Sequence, residues 1–466
     1  MSAVDTSVAS WKELLEGNNA LRSIALAGGV SMQAINVYMV TTILPTVIQD
    51  IGGLAYYAWS TTLFVVASIV GSALAAKLIE ALGPRHSYLM ALAVFSAGSM
   101  VCALASSMPV LLAGRSVQGF GGGILIALSY ALIRVVFEER LWPRAMALIS
   151  GMWGLATLSG PAIGGVFAES GHWRWAFWFL LPIALLLALI VIGQFEARTR
   201  NNSTSTRLPL ATIGLLVTSV MAISLASLSR EWLWSLIGVA SGLGLGALIA
   251  WRDNRALVKL LPTGAYSLTK PLGRLYAIMT LLIVAITCEI FVPYFLQLIH
   301  GLSPLSAGYL TAAMAGGWTI GSLFSAGKTG SGVERLSRLG PPLVCLALSA
   351  LAVMTPLESL FETTLGAGLY ILALAAVGLG IGLGWPHLLT RVFIAAEPGE
   401  ETLASSSITT VQLYASALAA ALAGVIVNGA GLLEPGGVVG AQQAAVWLFG
   451  VSGVAPLLAM LLMARK

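Results

Sequence analysis

The chain has 466 residues, 58% of them hydrophobic and only 9% charged, with a formal net charge of +5. A water-soluble domain carries about 25% charged residues, so a string of soluble domains is excluded and lipid must be the solvent for most of the chain. The mean hydropathy of +0.91 and the 51 glycines agree, because small residues let membrane helices approach closely.

Residues 1–20 are polar and lack the apolar core of a cleavable signal peptide. Ser10-Trp11-Lys12-Glu13 has capping-box spacing and predicts a short interfacial helix within an N-terminal segment, 1–21. A membrane helix needs roughly 20 apolar residues, and fourteen such stretches follow. The first eight lie near 22–48, 57–79, 86–107, 110–136, 143–167, 173–195, 209–228 and 232–251. The last six lie near 274–299, 306–327, 339–356, 363–388, 403–428 and 441–463. These runs are continuous and do not alternate with period two, which excludes a β-barrel. The predicted fold class is an all-α polytopic membrane protein with 14 transmembrane helices.

Charge asymmetry tests the count independently. With the N-terminus inside, the inner segments collect Arg22, Lys77, Arg85, Arg140, Arg144, Arg198, Arg200, Arg207, Arg252, Arg255, Lys259, Lys270 and Arg274, and later Lys328, Arg335, Arg338, Arg391, Arg465 and Lys466. The outer segments receive only Arg174 and Arg230. Topology therefore accounts for the positive charge without nucleic acid, and both termini are expected on the cytoplasmic side of the inner membrane.

Two polar stretches, 196–208 and 252–273, divide the spans into six, two and six. This reads as an N-terminal six-helix bundle (22–195), a linker region with two extra transmembrane helices (196–273) and a C-terminal six-helix bundle (274–466). A weak internal repeat agrees. Pro45 and Gly53 match Pro293 and Gly301 at equal spacing, followed by Gly71-Ser72 and Gly321-Ser322, then Lys77 and Lys328. Repeated six-helix halves are a transporter signature, and the bundles are expected to be inverted repeats.

Three segments carry motifs. The loop 76–85 reads Ala-Lys-Leu-Ile-Glu-Ala-Leu-Gly-Pro-Arg; span 4 holds Leu111, Arg115, Gln118, Gly119 and Gly121; span 5 holds Gly160-Pro161-Ala162-Ile163-Gly164-Gly165. Together with Trp173-Arg174-Trp175-Ala176-Phe177 they resemble the major facilitator superfamily, and the span count resembles its fourteen-span drug:proton antiporter branch. In the loop, Glu80 stands for the family acid and Gly83 and Arg85 are kept, while Ala81 and Pro84 depart. The resemblance implies a conformational latch at Glu80, Gly83 and Arg85; an ordinary solvated loop is the alternative. It implies a further gating role for Gly160, Pro161, Gly164 and Gly165, and proton handling for Arg115. Snorkelling to the outer interface is the other reading of that arginine.

One departure matters most. Counting back from Leu44-Pro45, the branch's usual span-1 acid falls on Asn36, which cannot titrate. Nearly all acidic residues lie in loops or at span ends, but Glu289 lies near the middle of span 9, four residues before Pro293. An intramembrane acid is a functional hypothesis by default, since it can exchange a proton with a cation or with the opposite side. The alternative is a protonated Glu289 hydrogen-bonded for packing. Asn36 and Glu289 open the two halves at comparable depth, so coupling is read as moved from one half to the other.

Candidate residues of a substrate cavity are Gln33, Asn36, Tyr38, Thr41, Trp153, Tyr294, Gln297, Trp318, Trp385, Gln412 and Tyr414. Aromatic rings with few hydrogen-bonding groups suit large amphipathic ligands, and Trp adds cation–π attraction. His387 is read as interfacial and Arg134 as snorkelling. Cys102, Cys288 and Cys345 sit at no metal or redox spacing, no Walker-type loop occurs, and no nucleophile–base arrangement is found. No cofactor or metal is expected.

The leading expectation is a secondary exporter of amphipathic or drug-like compounds, working by alternating access with Glu289 as proton carrier and Arg115 assisting. A specific metabolite, siderophore or lipid, exported with weak or no proton coupling, is the alternative that Asn36 favours. A transporter-like sensor or an intramembrane enzyme is a third class, which one deep acid and one deep arginine serve poorly. Expected partners are a small amphipathic substrate, protons and membrane lipids, with no nucleic acid and a monomeric chain.

Overall fold

A computed structural model describes residues 10–196, 209–229, 231–256 and 258–464. The polar stretch predicted at 196–208 lies outside it except for Glu196, as do Arg198, Arg200, Arg207, Arg230, Arg465 and Lys466. Among the described residues every regular element is helical. In the first half these are α1 (Trp11–Leu14), α2 (Gly17–Ile51), α3 (Tyr57–Ala103), α4 (Met108–Ala131), α5 (Ile133–Val136), α6 (Trp142–Glu169), α7 (Arg174–Trp178) and α8 (Leu180–Gln194). Next come α9 (Leu210–Ala226) and α10 (Trp232–Asp253). The second half holds α11 (Pro271–Ile286), α12 (Val292–His300), α13 (Pro304–Ala326), α14 (Ser331–Met354), α15 (Thr364–Ala395), α16 (Glu401–Val427), α17 (Gly437–Ser452) and α18 (Val454–Ala464). Among these residues 11 helical units are long and apolar enough to cross a membrane.

Local sequence explains the ends. The Ser10 hydroxyl accepts the N–H of Glu13 at 3.1 Å and starts α1. The 47 residues of α3 would run about 70 Å as one rod, more than twice the ~30 Å of bilayer hydrocarbon. The chain instead breaks at Gly83, whose φ of 76° and ψ of 170° suit a residue without Cβ. That the break folds α3 back follows from α4. Phe64 abuts Gly119 and Phe95 abuts Gly121, yet residues 64 and 95 would stand about 45 Å apart in an unbroken helix. α14 begins well before its apolar run, because Glu334, Arg335 and Arg338 fit a helix that projects beyond the hydrocarbon.

Backbone-close glycine contacts hold each half together, and the same set occurs twice. Gly71 faces the Phe120 carbonyl, while Gly119 and Gly123 face Phe64 and Ser68. In the second half Gly321 faces the Leu379 carbonyl, while Gly378 and Gly382 face Met314 and Trp318. The spacings within the helices agree, with 64, 68 and 71 against 119, 120 and 123 in the first half and 314, 318 and 321 against 378, 379 and 382 in the second, so α3–α4 and α13–α15 share one packing register.

One end of the bundle carries Asp50, Glu169, Arg174 and Gly301; the other carries Arg22, Arg140, Lys328 and Arg391. At the second, basic end the described part of the predicted linker 252–273 is pinned by two carboxylates. Asp253, fully buried, accepts the N–H groups of Leu260 and Leu261 at 2.7 and 3.0 Å and the Tyr266 hydroxyl at 3.0 Å. Burial and the Asp253 carboxylate beside it push the Tyr266 phenol up. Glu400 accepts the N–H and hydroxyl of Thr263 at 2.7 and 2.8 Å, tying the segment to α16.

A methyl at Gly119 would overlap the Phe64 carbonyl, whereas Gly244 has open space. Gly119→Ala is expected to destabilise the purified protein by about 1–3 kcal/mol, and Gly244→Ala to leave its thermal unfolding midpoint unchanged. Equal midpoints for the two variants would contradict the packing account.

Candidate functional site

The chain predicted as span 9 is interrupted. Between α11 and α12, residues Thr287–Phe291 wind as a 3-10 turn, and Pro293 removes a donor from the first turn of α12. Such a turn re-aims its side chains, and Glu289 is one of them. Its carboxyl is partly buried and, among the described residues, has no hydrogen-bond or ion-pair partner. Tyr38 of α2, in the other half, lies within its electrostatic reach.

Arg115 occupies a separate pocket in the first half. It is 2% exposed, so it does not snorkel. Its Nε donates to the Ser60 carbonyl at 3.4 Å, and its guanidinium donates to Gln118 Oε1 at 2.5 Å. The guanidinium stacks on Phe64 at 3.9 Å, and Gln118 donates onward to Ser99 Oγ at 2.8 Å. All these partners belong to α3 and α4, and no contact joins Arg115 to Glu289. On α2, Asn36 is fully buried with neither amide atom hydrogen-bonded, and the Oε1 of Gln33, which lies against Gly122, has no partner.

The span-5 motif works by close approach on two sides. Gly160 faces Ile35, Tyr38 and Met39 of α2, and Gly164 faces Met39 and Ile43. Gly165 faces Leu305 of α13, while Gly308 of α13 faces Thr42 and Pro161. Gly160 and Gly164 therefore pack α6 on α2 within the first half, while Pro161 and Gly165 meet α13 across the halves, toward the Asp50 end. Leu305 donates its N–H to Glu169 there at 3.3 Å.

Three features sequence reasoning missed close the same end. Tyr57 of α3 stacks on Phe291 with centroids 4.7 Å apart and meets Tyr294 edge-on at 5.4 Å. Asn428, after α16, donates to the carbonyls of Ala55 and Ser227 at 3.0 and 2.9 Å. Trp59 Nε1 donates to Ser227 Oγ at 3.2 Å, which joins the end of α9 to this clamp. An asparagine within an apolar run was the available signal for Asn428.

The remaining candidates scatter. Trp318 and Trp385 meet edge-on at 4.8 Å inside the second half. Gln297 has its Nε2 buried without a partner, and Gln412 is partly buried on α16. Thr41 donates to its own helix at Val37, and Trp153 is 36% exposed. Tyr414 pairs with Ser219 Oγ at 2.9 Å and so faces α9. His387 bonds Ser325 of α13. Gly83 forms the α3 break, and the Arg85 N–H donates to the Glu196 carbonyl of its own half at 3.3 Å.

Residues 26–421 match the family model of the Major Facilitator Superfamily. A probable multidrug-efflux transporter of Mycobacterium tuberculosis strain H37Rv is 38% identical over 98% of this chain and 97% of its own length. The multidrug transporter protein MdtP of Bacillus subtilis is 25% identical over 84% of this chain and 73% of its own. Among solved structures, a bacterial homologue of the human lysosomal transporter Spinster, inward-facing and unoccupied, superposes with a TM-score of 0.64. That likeness covers 96% of both chains at 14% identity, which speaks to fold alone.

Removing the Asn428 amide should loosen the Asp50 end by about 1 kcal/mol for each of its two hydrogen bonds. With the native cysteines replaced, Asn428→Ala is expected to speed maleimide labelling of a cysteine placed at Thr42, which is 2% exposed. An unchanged labelling rate would remove Asn428 from the closure.

Proposed function

The chain belongs to the Major Facilitator Superfamily, and from that premise we propose that it exports amphipathic, drug-like compounds across the cytoplasmic membrane in exchange for protons. Membership makes it a multi-pass membrane transporter and not an enzyme. Counting the folded α3 as two crossings, and adding α9 and the weakly apolar α13, brings the eleven units to fourteen. The basic end is then cytoplasmic, as the arginine and lysine bias requires. With eight crossings before α11, both halves begin on the same side. The halves are thus related about the membrane normal, with inversion confined within each; the doubled glycine register supports this.

One observation carries the mechanism: a carboxyl without a partner at the break in the α11–α12 helix, just inside the Tyr57–Phe291 seal. Closed at the Asp50 end, the protein would receive substrate from the cytoplasm into a cavity flanked by Glu289, Tyr38, Tyr294 and Gln297. An arriving cation is stabilised by the carboxylate only after its proton has left toward the cytoplasm. The empty carrier cannot return with that charge bare, because an unpaired intramembrane acid costs about 3 kcal/mol. It therefore returns protonated from the outside, and each cycle exchanges proton for substrate. The glycine contacts of α6 and the break at Gly83 permit the halves to rock, with Glu80 and Arg85 at the cytoplasmic turn. Arg115 keeps a fixed positive charge in the first half, where Asn36 cannot neutralise it. Asn36 is also the feature that favours a weakly coupled exporter of one metabolite, siderophore or lipid.

Ligand-induced proton release from detergent-solubilised protein, with lipophilic cations and neutral amphiphiles near pH 7, separates these readings. Wild type is expected to release a proton on binding a cation, and Glu289→Gln to bind without release. Asn36→Asp, which restores a titratable group to the first half, is expected to add a second release. Binding without release in all three proteins would overturn proton antiport and leave the weakly coupled reading.

A further inference from the structure

At the basic end of the second half, away from Glu289 and from the contacts between halves, a cleft of about 500 Å³ opens between α11, α14, α15 and α18. Three arginines line it, Arg274, Arg338 and Arg391, with Glu334 as the one acid. Glu334 accepts from Arg338 at 2.6 Å, and Arg391, at an exposed position, has no ion-pair partner among the described residues. Ser337, only 5% exposed, lines the same cleft, and its hydroxyl has no hydrogen-bond partner. A buried hydroxyl without a partner is uncommon in a folded protein and points to a group that completes it.

The other wall is apolar. Leu275, Ile278 and Leu388 form its floor, and Ile394, Leu462 and Met463 its rim. Ile394 is 78% exposed and the neighbouring Leu461 is 62% exposed, so the rim runs onto the lipid-facing surface. A site for a free inorganic anion needs no such wall. A ligand with a diffuse anionic head and hydrocarbon tails uses both: arginine forks suit phosphate oxygens, and basic pockets between membrane helices on the cytoplasmic side hold anionic headgroups.

We propose that this cleft binds the phosphodiester headgroup of an anionic phospholipid, with Arg338, Arg391 and Ser337 on the phosphate and the acyl chains along Ile394 and Leu462. The site is separate from the proposed transport pathway and does not depend on which compound is carried.

The full-length protein in mild detergent would be equilibrated with phosphatidylglycerol or phosphatidylcholine, and retained lipid counted by native mass spectrometry. Wild type is expected to retain phosphatidylglycerol preferentially. Arg338→Ala and Arg391→Ala, both at exposed positions, should each weaken that retention about fivefold. Arg335→Ala, on the same helix but outside the cleft, should not, and Arg391→Lys should recover part of the loss. Equal retention of the two lipids by wild type would overturn the proposal without any variant, and so would a double Arg338→Ala/Arg391→Ala protein that retains as wild type does. Displacement of phosphatidylglycerol by millimolar glycerol phosphate would assign the cleft to a free phosphate and overturn the lipid.

Discussion

In lipid, two apolar helices gain nothing by hiding from the solvent, so this bundle depends on how closely its backbones approach one another. Gly71, Gly119 and Gly123 in the first half, and Gly321, Gly378 and Gly382 in the second, put a carbonyl of one helix where a side chain of the next would otherwise stand. Each half is thereby a tightly registered unit. Between the halves the contacts are of two kinds. Gly165 and Gly308 let α13 meet α6 and α2 closely, while Tyr57, Phe291 and the Asn428 amide add rings and hydrogen bonds that can be made and broken. Rigid halves with a replaceable seam are what a rocking motion needs.

The few polar groups inside this apolar frame are distributed unevenly. Arg115 is surrounded by Ser60, Gln118, Ser99 and the Phe64 ring, a set that solvates a guanidinium without cancelling its charge. Asn36 and Gln33 have amide atoms left over on the neighbouring helix. The second half has no deep arginine among the described residues; it has a carboxyl at a helix break and, on α12, the Gln297 amide with its Nε2 unpartnered. A charge that must change during the cycle fits the half where no group solvates it, and a constant charge fits the half where Ser60, Gln118 and the Phe64 ring do. The same division explains why the two groups need not touch.

Much of the architecture was legible because it follows from solvent. Continuous apolar runs gave the helices, glycine at position 83 gave the break in α3, and the Gly-Pro pattern of span 5 gave a close-packed helix. Glu289 stood out because an acid in the middle of such a run is costly. What was hidden depends on contacts between distant residues. The carboxylates of Asp253 and Glu400 read as ordinary span-end acids, yet they fold the segment between α10 and α11. Tyr414 read as a cavity residue by residue type, but its hydroxyl is taken by Ser219 of α9. Asn428 and Tyr57 form the closure with partners that no local pattern announces, and the 3-10 turn that aims Glu289 left no mark except Pro293.

Transport in reconstituted vesicles tests the central claim most directly, because exchange and proton-driven flux separate there. If Glu289 carries the coupled proton, Glu289→Gln should still exchange a lipophilic cation across the membrane at equal pH. It should lose accumulation driven by an imposed pH gradient, while wild type performs both. Gradient-driven accumulation that survives in Glu289→Gln would contradict the account and place coupling elsewhere in the chain.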